Sequence, residues 1–441
     1  MGYVSKKGRR PTEYASKSSH SYIIKENAVI SFLSNCNLPK PAEEINIPES
    51  NIISIDNNKN TINYVIAVDG GYTEATVVKE YPSAKISFLQ FGALFFNLRD
   101  LEELENKKFI DPIDISKLKN IQRFKFVVPT KNITLKDEKT LLDSVRKTIY
   151  KYFLSQPEDE RFIDTLRWFI FEEYNNGKVV WNLANCPNCN HTKINLDKNT
   201  MKDYSFNCPN CNEIIFLTDV FRFHEVIDNE LGAGGILGYL ITLLENLVII
   251  HLLKIILQTK PNLLEEVVFI KDGPLAFFGQ TANMFKPMRK LVNYLYENYN
   301  LFLVGLEKSG AFVEHADEIS SKLESGKALI LHNDYIYKYI IPGKLNSDNI
   351  YGKTTYYGNK VILKSKDDKV YVATIPTLNT IANPEIKDFC NLKAVLQIVE
   401  KLRCDMYDSS IIPIALVNKL VSLANHPSSK LLEKFAIDNI K

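Results

Sequence analysis

Two apolar runs that each end in an aspartate are the clearest feature of the hydrophobic pattern. The first run, Tyr64–Val68, precedes Asp69, and the second, Val267–Lys271, precedes Asp272. Such runs predict buried strands, and the glycines that follow both aspartates predict tight turns. Asp-Gly is common turn chemistry, so a single case carries little weight. The matched pair predicts one site that the fold assembles from distant segments.

The remaining pattern predicts an α/β fold. From residue 61, short strand-like segments predict an antiparallel meander, and from about residue 138 helices alternate with further strands. A long apolar helix is expected over about residues 235–258. His251 and Lys254 interrupt its most apolar stretch, which favours a buried helix over a membrane span. This order of elements is typical of an RNase H-like core, although topology alone says little about function.

Composition narrows the class of protein only a little. The 441 residues are 45% hydrophobic and 24% charged, which is typical of a globular protein. A formal net charge of +2 neither favours nor excludes a polyanionic ligand, which would need locally concentrated basic residues. No apolar segment follows the basic residues near the N-terminus, so we expect a cytoplasmic protein without a secretory signal.

Four of the seven cysteines form two Cys-x-x-Cys pairs. They are Cys186, Cys189, Cys208 and Cys211. Two such pairs complete a tetrahedral site with no open position, so the spacing predicts a structural Zn²⁺ ribbon, with a redox dithiol as the alternative. The surrounding segment is polar, and we expect the metal to supply its folding energy. The ribbon is expected to contact DNA or a partner protein, or only to cap an insertion.

A third carboxylate is expected to join the two aspartates. Glu245 lies in the long apolar helix, where burial of a carboxylate is costly unless it is paired or metal-bound. The alternatives are a narrow solvent-facing stripe or pairing with a neighbouring lysine, and Glu225 and Glu230 compete for the role. Oxygen ligands suit Mn²⁺ or Mg²⁺, and two such ions bridged by carboxylates promote phosphodiester hydrolysis. Lys308, after another apolar strand, is predicted to contact the scissile phosphate, although a surface lysine is equally common there.

Taken in order, these motifs resemble the NurA nuclease family. They are Asp69-Gly70-Gly71, Asp272 to Leu275, Lys308-Ser309, Tyr371 to Pro376, and Ile412 to Leu416. The similarity covers about residues 60–425. It implies an RNase H-like, manganese-dependent nuclease that acts on single- and double-stranded DNA ends. It also implies a homodimer docked on a HerA-like hexameric ATPase that translocates DNA.

The resemblance carries metal-binding and catalytic roles to particular residues. Asp69 and Asp272 match the two family aspartates, and Glu245 matches the helical glutamate by its distance before Asp272. The family usually has a histidine in its C-terminal helix. The corresponding helix here contains Leu416–Leu420 without a histidine, and His426 follows only later. This departure, like the cysteine module, suggests a divergent branch.

The sequence therefore predicts a divalent-metal-dependent DNA nuclease in DNA end processing or antiviral defence. We expect a basic, weakly structured arm over residues 1–45, a nuclease domain in two parts over 46–180 and 218–441, and the zinc ribbon inserted over 181–217. The chief alternative is a catalytically degenerate DNA-binding or adaptor subunit of a motor complex. A third possibility is an RNA-directed nuclease or regulator.

Overall fold

A computed structural model describes residues 26–55, 60–100, 121–343, 349–404, 410–423 and 428–439. Its strands are β1 (Ile52–Ser54), β2 (Tyr64–Thr76), β3 (Lys85–Asn97), β4 (Ile121–Lys131), β5 (Val180–Asn185), β6 (Thr192–Asp197), β7 (Ser205–Asn207), β8 (Ile214–Phe216), β9 (Val267–Asp272), β10 (Phe302–Glu307), β11 (Lys327–Ile330), β12 (Gly358–Lys364) and β13 (Val370–Pro376). Its longer helices are α1 (Asn27–Ser34), α2 (Leu141–Ser155), α3 (Phe162–Ile170), α4 (Leu237–Thr259), α5 (Phe285–Tyr299), α6 (Ala311–Glu318), α7 (Leu392–Lys401), α8 (Ile412–Val421) and α9 (Ser428–Asn439). Most of the arm expected over residues 1–45 lies outside these described ranges.

A large mixed sheet confirms the α/β class. Nine strands follow the order β1-β11-β12-β13-β10-β9-β2-β3-β4. Around the central strand β2, β3 pairs antiparallel on one side and β9 pairs parallel on the other. Beyond them, β4 is antiparallel to β3, and β10 is parallel to β9. An antiparallel meander is therefore present as β2-β3-β4, but its strands differ from the prediction. The sequence pattern predicts separate strands over residues 61–69 and 75–81, whereas β2 is one strand that runs through Thr76.

Helices cover both faces of the sheet. Along β2, Ile66 and Val68 belong to the core cluster that contains α4, whereas Val65 and Ala67 belong to the cluster that contains α7 and α8. Successive side chains of a strand point to opposite faces, so the all-apolar run of β2 is buried on both sides. The central position of β2 explains why its sequence shows no polar alternation.

The turn expected after Asp69 is absent, and this changes the position of Asp69 in the sheet. Strand β2 continues through Gly70 and Gly71, which pair with Phe91 and Gln90 of β3. A Cβ atom on Gly70 would lie 2.8 Å from Ile241 of α4, and one on Gly71 would lie 3.2 Å from the main-chain oxygen at position 421 in α8. The glycines therefore allow a helix to approach each face of the strand. Asp69 lies within β2, not at its tip.

The second Asp-Gly segment does end its strand. β9 ends at Asp272, and Gly273 has a φ of +80°, a left-handed conformation that glycine adopts without a Cβ penalty.

The long apolar helix expected from the sequence is confirmed as α4. By length and composition α4 is apolar enough to cross a membrane, but 78% of its most apolar window is buried within the fold.

Candidate active site and metal centre

Asp69 lies on the face of the sheet that α8 covers. Its side chain is only 3% exposed. The Gly70 N–H donates to Asp69 Oδ1 at 2.7 Å, and Asn418 Nδ2 of α8 donates to Oδ2 at 2.9 Å. α8 has a proline in its first turn, a position where the missing N–H costs nothing, and Asn418 lies in the second half of the same helix. Both oxygens of this buried carboxylate are therefore fixed in direction.

Asp272 and Lys308 lie at the ends of the two neighbouring parallel strands. Val68 of β2 pairs with Lys271 of β9, so the next residues, Asp69 and Asp272, lie side by side and point to the same face. Lys308 Nζ donates to Asp272 Oδ2 at 2.6 Å. Both side chains are partly buried. The lysine predicted to contact phosphate therefore forms an ion pair with a predicted metal ligand.

Glu245 approaches from the opposite face, which α4 covers. Its Oε2 lies 2.6 Å from Lys271 Nζ, and both side chains are buried. Burial raises the pKa of Glu245, and the Lys271 ammonium opposes that rise. Of the readings that the sequence left open, pairing with a lysine is what the structure shows. The solvent-facing stripe is not, because Glu245 is only 6% exposed.

The three carboxylates are close enough to interact electrostatically. Burial, followed by the charges of Asp272 and Glu245, raises the pKa of Asp69 to about 8. The carboxylate oxygens are nevertheless not all within 4.8 Å of one another, the spacing that the cysteine sulfurs satisfy. Two of the three carboxylates are instead held by lysines. Asp69 and Asp272 present hard oxygen donors on the same face of the sheet, and donors of this kind fit a Mg²⁺ or Mn²⁺ ion.

The competing glutamates lie elsewhere. Glu225 forms an ion pair with Arg222 at 2.6 Å. Glu230 is exposed in a turn that the Asp228 side chain stabilises through the Glu230 and Leu231 N–H groups. Of the three candidate glutamates, Glu245 is the one whose charge acts on Asp69.

Asn418 is a site residue that sequence reasoning missed. The sequence did show that the C-terminal helix lacks the expected histidine, and Asn418 lies in the stretch that was noted for this absence. The missing histidine marked this helix, but the sequence could not show that Asn418 contacts Asp69. The two residues are 349 positions apart in the chain. His426 lies outside the described residues.

The four cysteines form a second, separate centre. Cys186 Sγ lies 3.8 Å from Cys211 Sγ, and Cys189 Sγ lies 3.7 Å from Cys208 Sγ. Thiolates bound tetrahedrally at about 2.3 Å from zinc would lie about 3.8 Å apart. A disulfide would need about 2.05 Å. All four sulfur atoms lie within 4.8 Å of one another, so the spacing fits a bound metal ion such as zinc.

Each cysteine pair lies at the turn of a short hairpin. The first turn joins β5 to β6 and the second joins β7 to β8. The two turns share the sequence Cys-Pro-Asn-Cys-Asn and the same backbone hydrogen bonds, in which Asn190 N donates to Cys186 O and Asn212 N donates to Cys208 O. Both asparagines have positive φ, at 58° and 60°. The ribbon is thus built from two copies of one metal-binding turn.

The ribbon is packed into the main core rather than extended into solvent. Its buried apolar side chains belong to the same core cluster as α2, α3 and α4. Arg146 of α2 donates to both carboxylate oxygens of Asp219 at 2.9 and 2.8 Å, and to the Ile214 carbonyl of β8 at 2.9 Å. Its guanidinium also lies 5.3 Å from the centre of the Phe216 ring. This buried arginine therefore ties the second hairpin to the core.

Comparison with known proteins gives a similarity at the level of structure. No protein-family model matches the chain, and no curated protein sequence matches it. The crystal structure of the NurA nuclease from Sulfolobus solfataricus is similar to 97% of this chain and 99% of that chain, with 8% identity and a TM-score of 0.33. A second crystal structure of NurA is similar to 97% of this chain and 98% of its own, with 12% identity and a TM-score of 0.31.

The similarity to these two NurA structures extends over nearly the whole of this chain. TM-scores this low give no residue-by-residue correspondence. The function proposed below therefore depends on the geometry of the site.

Proposed function

We propose that this chain is a divalent-metal-dependent DNA nuclease whose active site lies between β2 and β9. The observation that carries the proposal is the position of Asp69 and Asp272, side by side on neighbouring parallel strands, with the charge of Glu245 acting on Asp69 from the opposite face. Burial, with the charges of Asp272 and Glu245 as smaller contributions, raises the pKa of Asp69 to about 8. Carboxylates gathered in this way are typical of sites that hold a divalent cation.

The strand arrangement supports an RNase H-like core around this site. In the order β4-β3-β2-β9-β10, the strand next to the centre, β3, runs antiparallel to the other four. The acid on the first strand of the meander and the acid at the end of β9 then lie on neighbouring parallel strands. We propose that the ribbon is a structural insertion in this core.

Each residue has a distinct role in the proposed reaction. Asp69, Asp272 and Glu245 would hold the ion, which activates a water molecule and neutralises charge on the reacting phosphate. Asn418 fixes the direction of Asp69 by its hydrogen bond. Lys308, partly exposed beside Asp272, is placed to bind a phosphate oxygen once substrate replaces its carboxylate partner.

The choice of substrate and partner comes from the motif resemblance. On that basis we propose DNA ends as substrate, Mn²⁺ as the metal, a homodimer as the assembly and a HerA-like hexameric ATPase as the partner. We also propose that the protein acts in the cytoplasm, in DNA end processing or antiviral defence.

A degenerate adaptor subunit is the second candidate, and one observation favours it. Asn418 lies at the site in the helix where the resemblance implies a histidine, and lysines already neutralise Glu245 and Asp272. Such a protein would bind DNA or a motor without cleaving.

Cleavage of linear, single-stranded DNA and RNA with Mn²⁺, Mg²⁺ or EDTA tests the proposal. We expect metal-dependent DNA cleavage that both Asp69→Ala and Asp272→Ala abolish. Asp438→Ala, an exposed aspartate on α9, is the matched control and should retain activity. Cleavage that survives both site variants would refute the mechanism. A preference for RNA would support the RNA-directed reading, and inactivity even with the motor ATPase would support the adaptor.

A further inference from the structure

Lys271 is a buried lysine that the sequence analysis did not single out. It is 2% exposed and is among the largest fully buried side chains in the described part of the protein. Its Nζ lies 2.6 Å from Glu245 Oε2 and donates to the main-chain oxygen of Asp272, also at 2.6 Å. One ammonium group therefore joins α4 to the end of β9.

The two lysines of the site contact their carboxylates differently. Lys308 binds a side-chain oxygen of Asp272, the atom that a metal ion would need. Lys271 reaches Asp272 through the main-chain oxygen and engages one of the two oxygens of Glu245. Lys271 therefore leaves the Asp272 carboxylate and the second Glu245 oxygen free for other partners. It is also far less exposed than Lys308, which is 28% exposed.

Lys271 also supports the turn that ends β9. A Cβ atom on Gly273, the residue with positive φ, would lie 3.6 Å from Lys271 Nζ. The ammonium therefore lies against the backbone that turns directly after Asp272. In the sheet, Lys271 pairs with Val68, which places it beside the residue preceding Asp69.

We propose that Lys271 is a positioning residue of the metal site. It fixes the Glu245 carboxylate and the backbone of Asp272 relative to each other, so that both ligands are in place before the ion binds. This inference rests on the proposed metal-dependent nuclease function. Residues that orient metal ligands in this way typically change metal affinity about 10- to 100-fold when they are replaced.

Titration with Mn²⁺, followed by the shift in melting temperature, tests this role in the full chain. We expect Lys271→Met to weaken the apparent Mn²⁺ affinity at least about tenfold. At saturating Mn²⁺ we expect a lower kcat with an unchanged KM for DNA. If Lys271→Met does not fold, the same Mn²⁺ titration is made with Lys271→Gln, which keeps hydrogen-bond donors but loses the charge.

Lys254→Met is the matched control. Lys254 is a buried lysine of α4 that forms an ion pair with Glu160 at 2.6 Å. Its replacement should lower the melting temperature and leave the Mn²⁺ affinity unchanged. A purely structural role for Lys271 predicts the same behaviour for its own variants, and that result would overturn the inference. If the wild-type chain neither binds Mn²⁺ nor cleaves DNA, the proposed function itself fails.

Discussion

The cysteine ribbon and the carboxylate site are built in opposite ways. The four thiol groups come from two copies of one short turn, and their sulfur atoms already have the spacing of a zinc site. The carboxylates come from β2, α4 and β9, and lysines hold two of them. The four sulfur atoms lie within 4.8 Å of one another, whereas the three carboxylates do not and depend on distant side chains for their partners.

On the proposed function, the first centre would hold a metal that stabilises the fold and the second a metal that takes part in chemistry. A Cys₄ centre has no free position for substrate, so its contribution is folding energy. A site of oxygen ligands exchanges water and phosphate readily. We therefore expect the two centres to respond differently to mutation, metal removal and pH.

Removal of the ribbon metal should give the largest loss of stability. Structural zinc contributes about 10 kcal/mol or more to the folding of zinc fingers. Because the ribbon shares the main core cluster, we expect Cys208→Ser to lower the melting temperature of the whole chain and abolish bound zinc. Thermal unfolding and metal analysis by mass spectrometry check this.

The control for this prediction is Cys36→Ser, outside the ribbon and only partly buried. It should retain one zinc ion per chain and the wild-type melting temperature. A Cys208→Ser variant that also keeps both would contradict the structural role of the centre.

Unlike Cys208→Ser, Asp69→Asn should lower activity without lowering stability. We expect cleavage to fall about 10³-fold, since a bound metal supplies several kcal/mol of transition-state stabilisation. In EDTA the variant should be more stable than wild type. The pKa of Asp69 rises from 3.8 to about 8 on folding, so its ionisation opposes folding. Wild-type stability in EDTA should therefore fall from pH 4 to pH 8, and the variant should lose this component of the fall.

Melting curves across this pH range, recorded with and without Mn²⁺, provide the measurement. Mn²⁺ should stabilise the wild type and not Asp69→Asn. If the variant were less stable than wild type in EDTA at pH 7, Asp69 would be a structural residue rather than part of a metal site.

Sequence reasoning succeeded for the ribbon because all its ligands are local. The repeated cysteine spacing predicts the four-cysteine cluster that the structure shows without any knowledge of the fold. For the second centre, the apolar runs identified Asp69 and Asp272, but the partners depend on packing. The contact of Asn418 with Asp69 and that of Lys271 with Glu245 join segments that no short pattern connects.

The error at Gly70 and Gly71 has a similar cause. Glycine pairs after an aspartate are typical of turns. Here the same residues lie within β2 because α4 and α8 approach the strand too closely for a side chain. The glycines are visible in the sequence, but the close approach of the two helices that requires them is visible only in the tertiary structure.

Arg146→Leu tests whether the ribbon is part of the core. The guanidinium and the Asp219 carboxylate form a buried pair with a contact of 2.8 Å. Removal of one partner of such a pair typically costs about 3–5 kcal/mol, because the other charge stays buried. Urea unfolding measures this loss. Arg403→Leu breaks a more exposed pair with Asp367 and should cost no more than about 1 kcal/mol. Equal losses would mean that the ribbon is an independent appendage.

Asn418→Ala should have the smallest effect. The variant loses one hydrogen bond to a buried carboxylate, and such bonds contribute about 1.5–3 kcal/mol. We expect kcat to fall about tenfold, with little change in the melting temperature. Steady-state cleavage assays beside Asn418→His also address the adaptor alternative. An inactive wild type that gains cleavage with histidine would show that the natural chain is degenerate.

The most direct measurement is a crystal structure of the protein soaked in Mn²⁺, with anomalous diffraction recorded at the manganese and zinc edges. The account predicts a zinc peak among the four cysteine sulfurs and a manganese peak bound by Asp69 and Asp272, at about 2.1 Å from their oxygens. The zinc peak serves as the internal control. A zinc peak without manganese at the aspartates would contradict the proposed active site.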